Sequence, residues 1–218
     1  MGEPAAEDLW PSLDKSLGRQ PCFPSGEVWS VLPTLKGQII DMLEDVGSNL
    51  REGVSVDETK GKIHIDDSAS IEPSVHIIGP AYIGPNVIIR HGAYIREYSW
   101  ICANSLVGHA TETKHSILLP GSKAPHFNYV GDSVLGPNVN LGAGVKLSNL
   151  RNDGKEVHVI LDGQRVPSGL RKFGAILGEE CQLGCNAVTN PGVVLGMNSM
   201  VMPNTTVTGI YPSDSKIG

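Results

Sequence analysis

The residue pattern predicts an all-β fold built as a parallel solenoid, on three observations. From Ile65 an aliphatic residue returns every six positions, at Ile71, Ile77, Ile83, Ile89, Ile95, Ile101 and Val107. Four places after each earlier member stands a smaller residue: Ala69, Val75, Ala81, Val87, Ala93, Ser99 and Ser105. Three places after many of the aliphatics comes Asn or Gly (Asn86, Gly92, Asn104, Asn138, Gly144, Asn186, Gly192, Asn198, Asn204), the types that best tolerate a left-handed backbone. Each hexad reads as a short strand closed by a turn, and units that small bury their apolar side only by stacking on one another. Aromatics at 5%, with 26 Gly and 15 Pro, fit a narrow, turn-rich interior filled by aliphatic side chains.

Residues 1–60 form the first expected unit, an arm followed by a capping helix. Residues 1–25 are polar, contain Pro and show no period, which predicts a flexible arm. Pro33 opens a helix to about Val46, with Leu35, Ile39 and Leu43 on one face, Trp29 and Leu32 packing beside it, and Gly47 as its stop. The open end of a solenoid has no neighbouring rung, so this helix is expected to cap it. Residues 48–60 read as a charged linker.

The second unit, 61–218, is the solenoid. Its period breaks at Gly121–Tyr129 and resumes through Leu135, Leu141 and Leu147, then through Leu177, Leu183, Leu195, Val201 and Val207. The break is expected as a loop lining a binding face, since departures from a repeat usually are. It carries Lys123, His126 and Tyr129, with Glu112 and Lys114 upstream and Asn140 downstream. A second insertion, Leu150 to Phe173, predicts a projecting β-hairpin turning at Asp162-Gly163.

Composition narrows the function classes. A formal charge of −6 argues against nucleic acid or an acidic membrane surface as partner. No apolar run approaches the ~20 residues of a membrane span, and the start lacks the basic and apolar regions of a signal peptide. The expectation is a soluble cytoplasmic protein. Cys22, Cys102, Cys181 and Cys185 have neither a disulfide framework nor a second ligand pair, so no metal is expected.

In the ordered set Tyr94-Ile-Arg96, Glu112-Thr-Lys114, Gly121-Ser-Lys-Ala-Pro-His126-Phe-Asn-Tyr129, Asn138-Val-Asn140 and Ser148-Asn149, the chain resembles the hexapeptide-repeat acyltransferases. It is similar in particular to the acetyltransferase domain of the bifunctional UDP-N-acetylglucosamine pyrophosphorylase/glucosamine-1-phosphate acetyltransferase. With its hairpin and Ser168-Gly-Leu-Arg-Lys-Phe-Gly174, it looks like the archaeal-type sugar-1-phosphate nucleotidylyltransferase/acetyltransferases.

The resemblance implies a left-handed parallel β-helix of 18-residue coils, which would stack Arg96 and Lys114 on adjacent rungs. It implies His126 as general base and Glu112 as the acid that orients it. Arg96, Lys114 and Tyr129 would hold the sugar phosphate, and Asn140, Asn149 and Lys155 would anchor the sugar. Ala143 would offer its backbone to the acetyl group, and Cys185 and Pro203 would face acetyl-CoA, with Arg171 and Gly184 as further coenzyme-side candidates.

The implied activity is transfer of acetyl from acetyl-CoA to glucosamine- or galactosamine-1-phosphate, in UDP-N-acetylglucosamine biosynthesis, by a homotrimer. About sixty residues stand where the family has a nucleotidyltransferase domain, so nucleotidyl transfer is expected to be absent, and a separate nucleotidyltransferase is a possible partner. Two alternatives keep the fold: acyl transfer to another sugar acceptor, and a non-catalytic solenoid that binds such a nucleotidyltransferase.

Overall fold

Residues 4–218 are described by the computed structural model, so the first three residues of the expected arm lie outside it. Three parallel eight-stranded sheets make the sides of a triangular solenoid. In chain order the first sheet begins at Ser55–Asp57, the second at Ile63–Ile65 and the third at Ser70–Ile71. The hexad aliphatics Ile77, Ile83, Ile89, Ile95, Ile101 and Val107 point inward and are fully buried, each contributing roughly 1.5–3 kcal/mol. All nine Asn and Gly of the turn slot have φ between 55° and 85°, as the pattern predicts.

The break in the period is not a loop. Ile65, Ile83 and Ile101 are register partners 18 residues apart, whereas Ile101, Leu118 and Leu135 are 17 apart. The lost residue belongs to the corner between the first and second sheets. Glu97-Tyr98 turns it in one coil, His115 alone in the next, and Asp132 alone in the coil after that. Lys123–His126 is a regular strand of the third sheet, in register with Leu106–His109. One missing residue shifts the hexad phase without interrupting the stack, which is why the sequence suggests an excursion.

The 150–173 insertion leaves from that same corner, and Phe173 N–H closes its base on Asn149 O at 2.9 Å. His158–Leu161 and Gln164–Pro167 form the expected hairpin, with Asp162 and Gly163 both at positive φ. It does not project. Val157 and Val159 are buried in the apolar layer outside the second sheet, and Ile160 lies against Gly209.

The same layer corrects the reading of the amino-terminal unit. The helix, Val31–Val46, ends at Gly47 as expected, but it covers a flank of the solenoid instead of its end. Leu32, Leu35, Ile39 and Leu43 pack with Tyr82, Trp100 and Ile117, the outward residues of the second sheet. Sixteen residues make a helix about 24 Å long, roughly five rungs at ~4.8 Å.

The arm is ordered too: Trp10 packs against Phe23 with ring centroids 4.7 Å apart and donates Nε1–H to Leu177 O at 3.0 Å. Of residues 48–60, expected as a linker, Asn49 and Arg51 cover the first coil and Ser55–Asp57 is already a strand of the first sheet. Asn49 pairs with Ile63 and Ile65, and the Arg51 guanidinium bonds the carbonyls of Asp66, Asp67 and Ala69. No helix among the described residues is long and apolar enough to cross a membrane.

Candidate active site

Alternation along a strand sends Ile95, Thr113 and Val130 inward and their neighbours outward. The outer face of the first sheet therefore carries one ladder of Tyr94, Glu112, Tyr129 and Lys146, set by register. Beside it Arg96 and Lys114 follow on successive rungs, with Arg96 N–H bonded to Thr113 O at 2.8 Å. Each cation has a carboxylate partner of its own. Arg96 Nη1 lies 2.7 Å from Glu112 Oε1, and Lys114 Nζ lies 3.9 Å from Asp132 Oδ2. Glu112 is thus bonded to Arg96, and the structure does not bring its carboxylate onto His126.

Asp132 is the hub of the shortened corner. Its carboxylate accepts from His115 Nδ1 at 2.7 Å and from Asn149 Nδ2, and it is nearly fully buried. Burial alone would raise its pKa, but His115, Lys114 and Asn149 outweigh that and hold it below the ordinary carboxylate value. Lys114 moves down from the usual lysine range, chiefly because it is buried and further because Lys172 and Arg96 are close.

Tyr129 Oη and Asn149 Nδ2 meet beside Gly131, and burial raises the phenol pKa. Gly131 permits this contact: a Cβ there would come within 2.6 Å of Tyr129 Oη and 2.8 Å of Asn149 Nδ2. Arg96, Lys114, Tyr129 and Asn149 therefore share one polar patch.

The corner between the third and first sheets holds the other group. Gly144 N–H bonds His126 O at 3.1 Å, Asn186 N–H bonds Ala143 O at 2.8 Å, and Asn204 N–H bonds Cys185 O at 2.9 Å. His126, Ala143, Cys185 and Pro203 accordingly form a column along the axis. Asn128 fixes its head, accepting from His126 N–H at 3.0 Å and donating to Gly142 O at 2.8 Å. His126 is exposed, its ring tilted beside Phe127 at 6.4 Å. No hydrogen bond of the described chain reaches its ring nitrogens or uses the Ala143 N–H.

Three expected residues lie apart from both groups. Asn140 is on the third sheet between Lys123 and Gln182. Lys155 stands in the insertion, its N–H on Asp153 Oδ1 at 3.2 Å. Arg171 Nε donates to Gly154 O at 3.2 Å in the return of that insertion. Gly184, just past the third-sheet strand Gln182–Leu183, instead abuts the column: a Cβ there would meet Pro203 N at 2.5 Å.

A family model described as the GMPPB C-terminal domain matches residues 77–215. The chain belongs to this family. It is 36% identical over 184 residues to a bifunctional sugar-1-phosphate nucleotidylyltransferase/acetyltransferase of Sulfurisphaera tokodaii, covering 84% of this chain and 45% of the relative. It is 33% identical over 190 residues to a bifunctional protein GlmU of Methanococcus aeolicus, covering 87% and 45%. The chain thus spans under half the length of these curated relatives, and the resemblance read from the residues agrees with them.

Among solved structures, the acetyltransferase domain of PglB from Neisseria gonorrhoeae FA1090 in complex with acetyl coenzyme A is 16% identical, covering 91% of this chain and 77% of that one. Its TM-score is 0.34.

Neither His115 nor Asp132 is among the residues that the sequence pattern singles out. The signal was available in the spacing: Ile101 to Leu118 is 17 residues where earlier coils have 18. The contraction marks the corner where these two side chains meet.

Proposed function

We propose that the chain is an acetyltransferase unit that moves acetyl from acetyl-CoA to the amine of glucosamine- or galactosamine-1-phosphate, feeding nucleotide-sugar synthesis. The supporting observation is the placement of Arg96, Lys114 and Tyr129 on one face, which begins three residues after His126. Two cations on adjacent rungs suit a phosphate, which hydrogen-bonds both more strongly than neutral donors would.

The neutral amine attacks the thioester carbonyl of acetyl-CoA, forming the C–N bond, while the imidazole of His126 takes the amine proton. The Ala143 N–H, free within the chain, stabilises the oxyanion of the tetrahedral intermediate. Collapse breaks the C–S bond, and the thiolate recovers the proton from His126. The products are the N-acetylated sugar phosphate and coenzyme A.

Cys185 and Pro203 continue the His126 column and line the coenzyme. A phosphate at Arg96 competes with Glu112 and frees that carboxylate, whose backbone N–H is bonded to Asn128, two residues from His126. His126 stands on a ridge and Asn140 on another face, so three copies packed side by side complete the site, with Asn140 and Lys155 reaching it across the cleft. Nucleotidyl transfer falls to a separate domain or partner.

The test is coenzyme A release with amino-sugar 1-phosphates. His126→Ala should lower turnover by ~10²–10⁴-fold with unchanged circular dichroism. Arg96→Ala and Lys114→Ala should each cost roughly 10–150-fold against the phosphorylated acceptor and little against the unphosphorylated sugar. Activity of His126→Ala within twofold of the parent removes the base, and equal losses on both acceptors remove the phosphate contact.

A further inference from the structure

We infer that the shortened corner is the floor of a binding pocket for a phosphomonoester dianion, formed within a single chain and joining Lys114 and Arg171 to Lys36, His115 and Lys172, which lie outside the recognised acyltransferase set. The cavity is about 390 Å³ and lies where the solenoid corner meets the start of the helix and the return of the insertion. Its floor is Lys114 and His115, and its walls bring Lys36 from the helix and Arg171 and Lys172 from the insertion.

His115 is 8% exposed. Its Nδ1 is committed to Asp132, and its buried Nε2 has no hydrogen-bond partner among the described residues. A buried imidazole nitrogen left without a partner costs free energy that a ligand oxygen would recover. With Nδ1–H on the Asp132 carboxylate, a protonated ring places an Nε2–H donor against an oxygen of the dianion.

Charge points the same way. Four cations (Lys36, Lys114, Arg171, Lys172) face two carboxylates, Glu97 and Asp132, in a chain whose overall formal charge is −6. Glu97 Oε1 lies 3.6 Å from Lys60 and Oε2 3.7 Å from Arg96, both from outside the pocket lining; these ion pairs offset its charge although Oε2 accepts no hydrogen bond among the described residues. Lys36 is held over the Tyr98 ring at 5.1 Å, and Tyr98 meets His115 edge-on at 6.0 Å, so one wall cation is positioned relative to the floor. The formal excess of two positive charges matches the charge of a phosphomonoester near neutral pH.

Two sources share this chemistry: the phosphate of the acceptor, for which the inference rests on the acetyltransferase reading, and a free phosphate, for which it does not. The experiment is calorimetric titration of inorganic phosphate into the whole chain, its parent form and the variants Lys36→Gln, His115→Gln and Lys172→Gln, with Lys216→Gln on the third sheet as charge control. Lys36 and Lys172 are exposed, so their variants retain the fold even where His115→Gln perturbs it.

Saturable binding that weakens roughly ten- to hundredfold in the pocket variants and not in Lys216→Gln is the expected result. A parallel rise in KM for the sugar phosphate assigns the pocket to the acceptor; unchanged KM with weakened phosphate binding assigns it to free phosphate. No saturable heat up to about 10 mM phosphate, or equal affinity in parent and pocket variants, overturns the inference.

Discussion

Two corners of the same solenoid solve different problems. The corner between the third and first sheets repeats almost unchanged, with Phe127, Gly144, Asn186 and Asn204 each bonding back to the coil before. Its products are a straight column and a row of small residues, suited to something long that lies along the axis. The corner between the first and second sheets is where every length change from Glu97 to Phe173 falls: two contractions and one insertion. There the turn residues stop being interchangeable. His115 and Asp132 occupy equivalent places on adjacent coils and bond each other, and Asn149 one coil later joins them. A repeat can carry a generic groove; a specific polar network needs the repeat to be broken at one place.

The largest expected effect lies at the irregular corner. Asp132→Ala leaves His115, Asn149 and Lys114 without their common partner, and removal of one member of a buried charged network costs about 3–5 kcal/mol. Asn186→Ala at the regular corner loses only the tolerance for φ of 58°, about 1–2 kcal/mol. Urea unfolding of both variants checks the contrast; equal losses would remove the distinction between the corners.

Next comes Gly131→Ala, whose methyl would collide with Tyr129 and Asn149. Overpacking of that kind costs about 1–3 kcal/mol. It should also raise KM for the acceptor, because Tyr129 must move. A silent substitution in both assays would mean that the Tyr129–Asn149 contact is dispensable.

The smallest effect is one of pH. Asp132 is held below the ordinary carboxylate pKa in the folded chain, so its stabilisation is complete above the unfolded carboxylate pKa and is lost as pH falls through the folded value. The parent should therefore lose stability on acidification more steeply than Asp132→Asn, which has no carboxylate to protonate. Parallel curves of urea midpoint against pH for the two proteins would rule out Asp132 as the group responsible.

The solenoid itself was legible because Ile77, Ile83, Ile89 and their successors face one interior, and a six-residue period survives any outer decoration. The turn slot was legible for the same reason, since Asn86 and its equivalents answer to backbone sterics alone. The contraction at His115 was misread because a phase shift of one residue and a loop look alike in one dimension.

The apolar layer outside the second sheet was missed for a different reason. Tyr82, Trp100, Ile117, Val134, Ile176 and Val194 form one stripe only after the chain is wound, and no short window of sequence contains two of them. That stripe is what orders Trp10, Trp29 and the helix. At the candidate site, the outward residues of the first sheet followed from alternation, whereas the bonding of Glu112 to Arg96 depends on side-chain geometry that spacing does not carry.

Arg51 has a consequence for how these molecules behave in a crowded solution. The rim of a first coil is a template on which another chain's backbone could grow, and solenoids offer three such rims at once. Asn49 occupies the rim of the second sheet by pairing with Ile63 and Ile65. One guanidinium, bonded to the carbonyls of Asp66, Asp67 and Ala69, occupies the adjoining corner. A charged plug in that position makes coaxial stacking of two molecules unfavourable, because the arriving backbone would have to displace a cation from its oxygens. Arg51 thereby raises the cost of extending the repeat past this rim.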